Sequence, residues 1–258
     1  MRLMKRILSA AAVLALSASL LVGCSSGTAS SVPVSASSAA ESTVSSVEET
    51  ASSAVDENEV AAAQLLNDLT GSYQELWPVI LADEYKQTWL DDCTALVGED
   101  NAEAAFEKLS SMVTGDVYGE DAVKAYANGG GAYFCGFTNS LAILTFDGET
   151  STISGTDKDG NVLFSHTYHY IGMEPVRGLY EFQSDDADSG EFTYFFLAPD
   201  TSAETYHIEF RYGSDAEALS QYDTGEYAYW LASGISTDCD QTMIDNCIEL
   251  FCTENLAG

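Results

Sequence analysis

Residues 141–170 read LAILTFDGETSTISGTDKDGNVLFSHTYHY, and this stretch contains two β-hairpin signals in succession. The apolar run from Leu141 to Phe146 leads into Asp147-Gly148, and a second Asp-Gly pair, Asp159-Gly160, precedes the alternating residues 162–170. An Asp-Gly pair between such runs is a strong local signal for two antiparallel strands joined by a tight turn. The stretch therefore predicts an antiparallel sheet.

Further elements extend the sheet and flank it with helices. Candidate strands follow at 176–183, 192–198 and 204–212. Sequential antiparallel strands at this spacing favour an up-and-down barrel or a small sandwich, and a barrel of about eight strands can enclose one small ligand. Apolar residues at helical spacing predict helices over 58–69, 102–113, 120–127 and 239–252, with a short helical turn at 215–219. The predicted fold class is mainly β with flanking helices (α+β).

The N-terminus has the pattern of an export signal. Three basic residues, Arg2, Lys5 and Arg6, precede an apolar run over 7–22 that is too short for a comfortable membrane span. The run ends in Leu21-Val22-Gly23-Cys24, which resembles a bacterial lipobox. The resemblance implies cleavage before Cys24 and acylation of that cysteine. Residues 1–23 are thus predicted to be a lipoprotein signal peptide, with an ordinary secretory signal as the alternative.

The next segment differs in composition from the rest of the chain. Residues 24–56 are mainly Ser, Ala, Thr, Val and Glu, and they have no apolar periodicity. Such a composition cannot bury enough apolar surface to offset the entropy of ordering, so we expect a flexible tether. Residues 57–258 are enough for one domain with a core. The predicted location is the bacterial cell surface or periplasm, with a membrane anchor through lipid alone.

The charge excludes some classes of partner. The chain has 9 Lys and Arg residues against 41 Asp and Glu, a formal net charge of −32. Nucleic acids and anionic membrane surfaces require positive patches, so neither is an expected partner. An acidic surface attracts cations, and it also keeps a protein solvated and monomeric. Both explanations of the charge remain open from composition alone.

Five cysteines remain after Cys24, and their number is odd. They are Cys93, Cys135, Cys239, Cys247 and Cys252. They show no Cys-x-x-Cys or zinc-finger spacing, and an odd number in an exported protein cannot pair completely. Core packing is the expected role, while a Cys93–Cys135 disulfide or one involving Cys239 stays open.

Motifs of catalysis are missing from the sequence. It contains no Gly-x-Ser-x-Gly elbow, no His-Glu-x-x-His helix and no glycine-rich phosphate loop. The sequence therefore provides no positive indication of an enzyme.

The stretch TYHIEFRYG, residues 205–213, alternates polar and apolar side chains in the manner of a strand. His207 and Glu209 are predicted to share its polar face with Arg211. The pair has two interpretations: two ligands of one metal ion, or a solvated face on which Arg211 pairs with Glu209 and repels cations. Of the other two histidines, His166 is expected to point into the barrel and His169 to lie on the surface.

Four segments together resemble the ZinT (YodA) family of zinc-binding proteins, whose domain is calycin-like. The segments are DLTGSYQELWP at 68–78, GFTNSLAILTF at 136–146, VRGLYE at 176–181 and HIEFRYGSDAEAL at 207–219. They occur in the family's order within residues 66–254. The resemblance implies a calycin- or lipocalin-like antiparallel β-barrel over residues 57–258.

The resemblance also implies a zinc site, in an altered form. The family binds zinc through three histidines spaced H-x8-H-x-H. His207 stands at the second position, Glu209 stands at the third, and Ala198 stands at the first, where it cannot ligate. Asp200 is the predicted replacement, with His166, His169 or another acid as alternatives. Zinc accepts both imidazole nitrogen and carboxylate oxygen.

The expected function is divalent metal binding, with zinc or another divalent cation as the ion and with capture or hand-over to a metal transporter as the role. The alternative is a calycin-like module that has lost the metal and binds a small organic ligand or a protein partner.

Overall fold

The computed structural model describes residues 57–126, 131–198 and 207–257. The predicted signal peptide, the tether with Cys24, and the predicted ligand Asp200 lie outside these ranges. None of the helices within the described ranges is long and apolar enough to cross a membrane.

Eight strands close into one antiparallel barrel in which neighbours follow chain order. Their bounds are β1 Gly71–Glu75, β2 Ile143–Asp147, β3 Thr152–Thr156, β4 Val162–Met173, β5 Tyr180–Ser184, β6 Tyr194–Leu197, β7 His207–Gly213 and β8 Ala232–Ser236. The barrel closes because β1 pairs with both β2 and β8. Of the two predicted architectures, the up-and-down barrel is confirmed.

Most of the helices come before or after the strand-rich region in the chain. They are α1 Glu57–Asp68, α2 Leu76–Ile80, α3 Lys86–Val97, α4 Glu99–Val113, α5 Glu120–Tyr126, α6 Ala216–Leu219 and α7 Gln241–Leu256. The predicted helices at 58–69, 102–113, 120–127 and 239–252 are confirmed to within a few residues, and the turn at 215–219 is α6. The apolar pattern did not predict α2 and α3.

The two Asp-Gly turns form where they were predicted, and their glycines serve different purposes. Gly160 has φ of +80°, a conformation that side chains with a Cβ rarely adopt. At Gly148 a glycine is required because α1 packs closely against the turn: a Cβ there would lie 2.4 Å from the Cα of Asn67 at the end of α1. The first turn therefore packs α1 against the barrel.

Aromatic side chains fill the interior of the barrel. Phe195 has no exposed surface, and its ring centre lies 5.4 Å from that of Tyr168 and 5.3 Å from that of Tyr212. Other buried rings complete this core: Phe146, Phe164, Phe182, Phe210 and Trp230. Because side chains occupy the centre of the barrel, the described strands do not support the interpretation of a small ligand held inside it.

A second core lies between the barrel wall and the helices. It joins buried residues of α2, α3, α4 and α7 to Ile235 of β8. Trp89 of α3 is fully buried here, and its indole Nε1 donates a hydrogen bond to the carbonyl of Ile80 at 2.7 Å. The outer face of β8 is therefore part of a packed interface.

Carboxylates oppose one another across the contact between α3 and α7. Partial burial raises the pKa of Asp92 on α3, and Glu249 and Asp245 of α7 raise it further by charge repulsion. A carboxyl group whose pKa is raised by folding stabilises the fold below its unfolded pKa, and this contribution is lost as the pH rises through the folded pKa. Asp92 therefore weakens the fold at neutral pH.

We expect Asp92→Asn to raise the melting temperature at pH 7, because the amide removes the charge that burial and α7 disfavour. The gain should shrink as the pH falls towards 4, because the raised pKa of Asp92 lets it take up a proton at a higher pH than a free carboxyl. Thermal unfolding between pH 4 and pH 7 measures both effects. Glu107→Gln, which removes a charge from an exposed residue of α4, is the matched control. Equal shifts from the two substitutions would contradict the role of the α3–α7 contact.

Candidate functional site

His207 and Glu209 lie at the beginning of β7 on the outer face of the barrel. Both are half-buried, whereas Ile208, Phe210 and Tyr212 between and beyond them are buried in the barrel core. Residues two apart on a strand point the same way, and their Cα atoms lie about 6.6 Å apart. The predicted common face of His207 and Glu209 is therefore present.

Ala198 lies directly beside Glu209. Strand β6 pairs Leu197 with Phe210, and the next residue continues this register because the amide of Ala198 donates to the carbonyl of Glu209 at 2.9 Å. Opposed residues of antiparallel strands point to the same face, with Cβ atoms about 4.5–5.5 Å apart. Positions 198, 207 and 209, which correspond to the three histidines of the H-x8-H-x-H spacing, thus share one outer face. Ala198 contributes only a methyl group to this face.

A complete metal site is not formed by the described residues alone. Within 57–126, 131–198 and 207–257, no three His, Cys, Asp or Glu side chains are arranged to hold a metal ion. His207 and Glu209 are two of the three predicted ligands, and Asp200 is outside the description. His166 and His169 are on β4, which β5 and β6 separate from β7. Neighbouring strands are about 4.8 Å apart, so neither histidine joins the pair.

Each of these two histidines instead contacts a carboxylate of the 185–186 turn. His166 Nδ1 lies 2.6 Å from Asp186 and His169 Nδ1 lies 2.6 Å from Asp185. The side chain of His166 is 17% exposed and that of His169 is 53% exposed. His166 also stacks on Phe164 of the barrel interior, so both predicted orientations are confirmed.

Arg211 is turned towards a loop. Its guanidinium is fully buried and donates hydrogen bonds to the carbonyls of Leu219, Gln221 and Tyr227. It also lies 4.4 Å from the ring centre of Tyr222, and burial lowers its pKa to about 10. The sequence predicts Arg211 on the polar face of β7, and one of its two interpretations pairs this arginine with Glu209. The structure assigns its hydrogen bonds to the segment 219–227.

The arginine of the VRGLYE segment joins the same cluster. The guanidinium of Arg177 lies 4.3 Å from the ring centre of Tyr222 and donates to the hydroxyl of Tyr133 at 3.2 Å. The carboxylate of Glu174, which is itself buried, accepts from the backbone amide of Arg177. Two arginines thus share one tyrosine ring, and no periodicity in the sequence indicates this contact.

Two buried thiols lie within the electrostatic reach of Glu209. Burial raises the pKa of Cys135 and of Cys247 to about 12, and the Glu209 carboxylate is the second cause in both cases. Thiols with such a pKa are neutral at physiological pH, and it is the thiolate that binds metals. Cys135 and Cys247 therefore place neutral sulfur near a carboxylate. Sequence reasoning missed them because they belong to distant elements.

Among the comparisons with known proteins, only the comparison with solved structures found similar chains. No protein-family model matches the sequence, and no curated protein matches it. The Zn(II)-bound ZinT-like domain of Streptococcus pneumoniae AdcA is similar over 71% of this chain and 89% of that domain, at 15% identity and a TM-score of 0.45. Zn(II)-bound AdcA from the same species is similar over 72% of this chain and 35% of its own, at 14% identity and a TM-score of 0.42. The barrel itself is established by its strand pairings.

Arg211→Met should destabilise the protein by more than about 3 kcal/mol, because it leaves buried carbonyls of the 219–227 segment without a donor. Arg211→Lys should recover only part of the loss, since one ammonium cannot reproduce the planar fork of donors. Urea unfolding measures both values, with Lys108→Met on the exposed face of α4 as the control for charge. An Arg211→Met midpoint equal to that of Lys108→Met would contradict the assigned contacts.

Proposed function

We propose that this chain is an extracytoplasmic protein that binds a divalent metal ion, with zinc as the ion. His207 and Glu209 are the two ligands on β7, and Asp200 is the third. The single observation that supports this most directly is the convergence of Ala198, His207 and Glu209 on one outer face of β6 and β7.

The geometry suits a cation because the ligands come from adjacent positions of a rigid wall. Zinc is held at about 2.0–2.2 Å by imidazole nitrogen and carboxylate oxygen, usually with four ligands. The side chains of His207 and Glu209 are long enough to meet across two residues of strand, and both are half-buried. Asp200 follows Ala198 by two residues in the sequence. Its carboxylate would take the place of the missing imidazole.

Charge also favours a cation at this wall. The chain has a net charge of −32, and such a field raises the local concentration of positive ions. Arg211, the fixed positive charge two residues after Glu209, donates its hydrogen bonds to the 219–227 segment. The choice of zinc over other divalent ions rests on the sequence motif, in which His207 occupies a zinc-ligand position.

The N-terminal sequence supports a role at the cell surface. A lipid on Cys24 and the tether 24–56 would hold the metal-binding domain outside the membrane, where it captures zinc and hands it to a transporter. The acidic, membrane-repelling surface is compatible with a protein that is anchored through lipid alone.

Isothermal titration of the metal-free protein with zinc tests the proposal. We expect one zinc ion per chain at micromolar concentrations, and we expect His207→Ala to abolish the binding because it removes the only imidazole of the site. His169→Ala, an exposed histidine on β4, is the matched control and should bind as the parent does. Equal zinc binding by His207→Ala and the parent, or no binding by the parent, would contradict the proposal.

Ala198→His provides a test by gain of affinity. An imidazole at this position would lie beside Glu209 and restore the spacing of three ligands, so zinc should bind at least about tenfold more tightly, a change of about 1.4 kcal/mol. Ala198→Leu controls for the added bulk at this buried position. If Ala198→His binds zinc no more tightly than Ala198→Leu, the three positions do not converge on one ion.

A further inference from the structure

Cys93 of α3 and Cys252 of α7 face each other inside the helical layer. Their sulfur atoms are 3.9 Å apart, although 159 positions separate the two residues in sequence. Neither side chain has any exposed surface. The sequence leaves a Cys93–Cys135 disulfide open, but in the structure Cys93 is in contact with Cys252.

Aromatic contacts hold the two helices together next to this pair. Trp89, one helical turn before Cys93, lies 5.9 Å from Phe251, the neighbour of Cys252, measured between ring centres. Phe251 is also 4.7 Å from Trp77 of α2. Packing beside the pair therefore keeps the two thiols close together. For a bond to form, the separation of the sulfur atoms must fall from 3.9 Å to the S–S bond length of about 2.05 Å.

We propose that Cys93 and Cys252 form a disulfide bond that joins α3 to α7 in the exported protein. In the reaction the two thiols lose two protons and two electrons to the disulfide of a thiol oxidant, an oxidoreductase or a small disulfide molecule. The S–S bond forms between Cys93 and Cys252, and the oxidant leaves as two thiols. Such an oxidant is available in the compartments to which the N-terminal sequence directs the chain.

The bond would counter a weakness of the same interface. The carboxylates of Asp92, Asp245 and Glu249 repel one another between α3 and α7, and Asp92 immediately precedes Cys93. A covalent link across this contact restricts the unfolded chain over a long loop, which stabilises the fold most when the loop is long. It would hold α7 against α3 despite the repulsion.

Burial determines when the bond can form. Burial raises the pKa of the Cys93 and Cys252 thiols, and it is the thiolate that attacks a disulfide. Thiol–disulfide exchange in the folded protein is therefore slow. We expect the two cysteines to be oxidised during folding, before α7 covers Cys93. The remaining cysteines, Cys135, Cys239 and Cys247, would stay as thiols.

The test is refolding of the full-length chain, with Cys24→Ser to prevent acylation, in a buffer of oxidised and reduced glutathione. Thiol titration in denaturant should then find three thiols, compared with five after reduction. Digestion without reduction should give one linked pair of peptides, containing Cys93 and Cys252. The oxidised protein should melt roughly 5–15 °C above the reduced protein.

Matched substitutions make the result specific. Cys239→Ala should still lose two thiols on oxidation, whereas Cys93→Ala and Cys252→Ala should each keep all four and should melt at one temperature with or without reductant. Persistence of five thiols in the refolded parent would overturn the proposal. A linked peptide pair other than Cys93 with Cys252 would overturn it as well.

Discussion

The pairing of β1 with β8 is the constraint on which the rest of the structure depends. Once the first and last strands join, none of the eight described strands is left with a free sheet edge, and each has one face inside the barrel and one outside. Aromatic rings of the described residues fill much of the inside. On β7 and β8 that outer face is shared between the helices, which cover Ile235, and the candidate ligands His207 and Glu209.

The outer face of β7 carries two charged side chains, Arg211 and Glu209, in different surroundings. Arg211 is on the outer side of β7 but is fully buried, and its cost of desolvation is met by carbonyls of the 219–227 segment and by the ring of Tyr222. Glu209, two residues earlier, lies near neutral thiols of Cys135 and Cys247. One strand thus holds a cation whose role is structural and a carboxylate that we propose as a metal ligand.

The fold was largely predictable where local chemistry decides it. The Asp-Gly turns and alternating strands from Leu141 onwards predict the antiparallel barrel, and apolar periodicity predicts α1, α4 and α7. Strands β1 and β8 were missed because GSYQE and ASGIS are short, and Gly71 reads as the end of a helix rather than the start of a strand. Their pairing gains its stability from contacts distant in sequence, which no local pattern contains.

The candidate site was predictable only where local sequence patterns determine it. Strand alternation places His207 and Glu209 on one face, and the family motif points to Ala198, which strand pairing then places beside Glu209. The direction of Arg211 and the contact between Cys93 and Cys252 depend on which distant elements pack there. The sequence leaves an odd number of cysteines after Cys24, whereas the fold shows that Cys93 and Cys252 are in contact.

The most direct measurement is the position of zinc in crystals of the protein, located by anomalous scattering at the zinc absorption edge. The account predicts one peak on the outer face of β7, with an imidazole nitrogen of His207 and a carboxylate oxygen of Glu209 about 2.0–2.2 Å from the metal. A peak bound by other residues, with His207 and Glu209 not in contact with it, would contradict the assignment of this strand as the metal-binding wall.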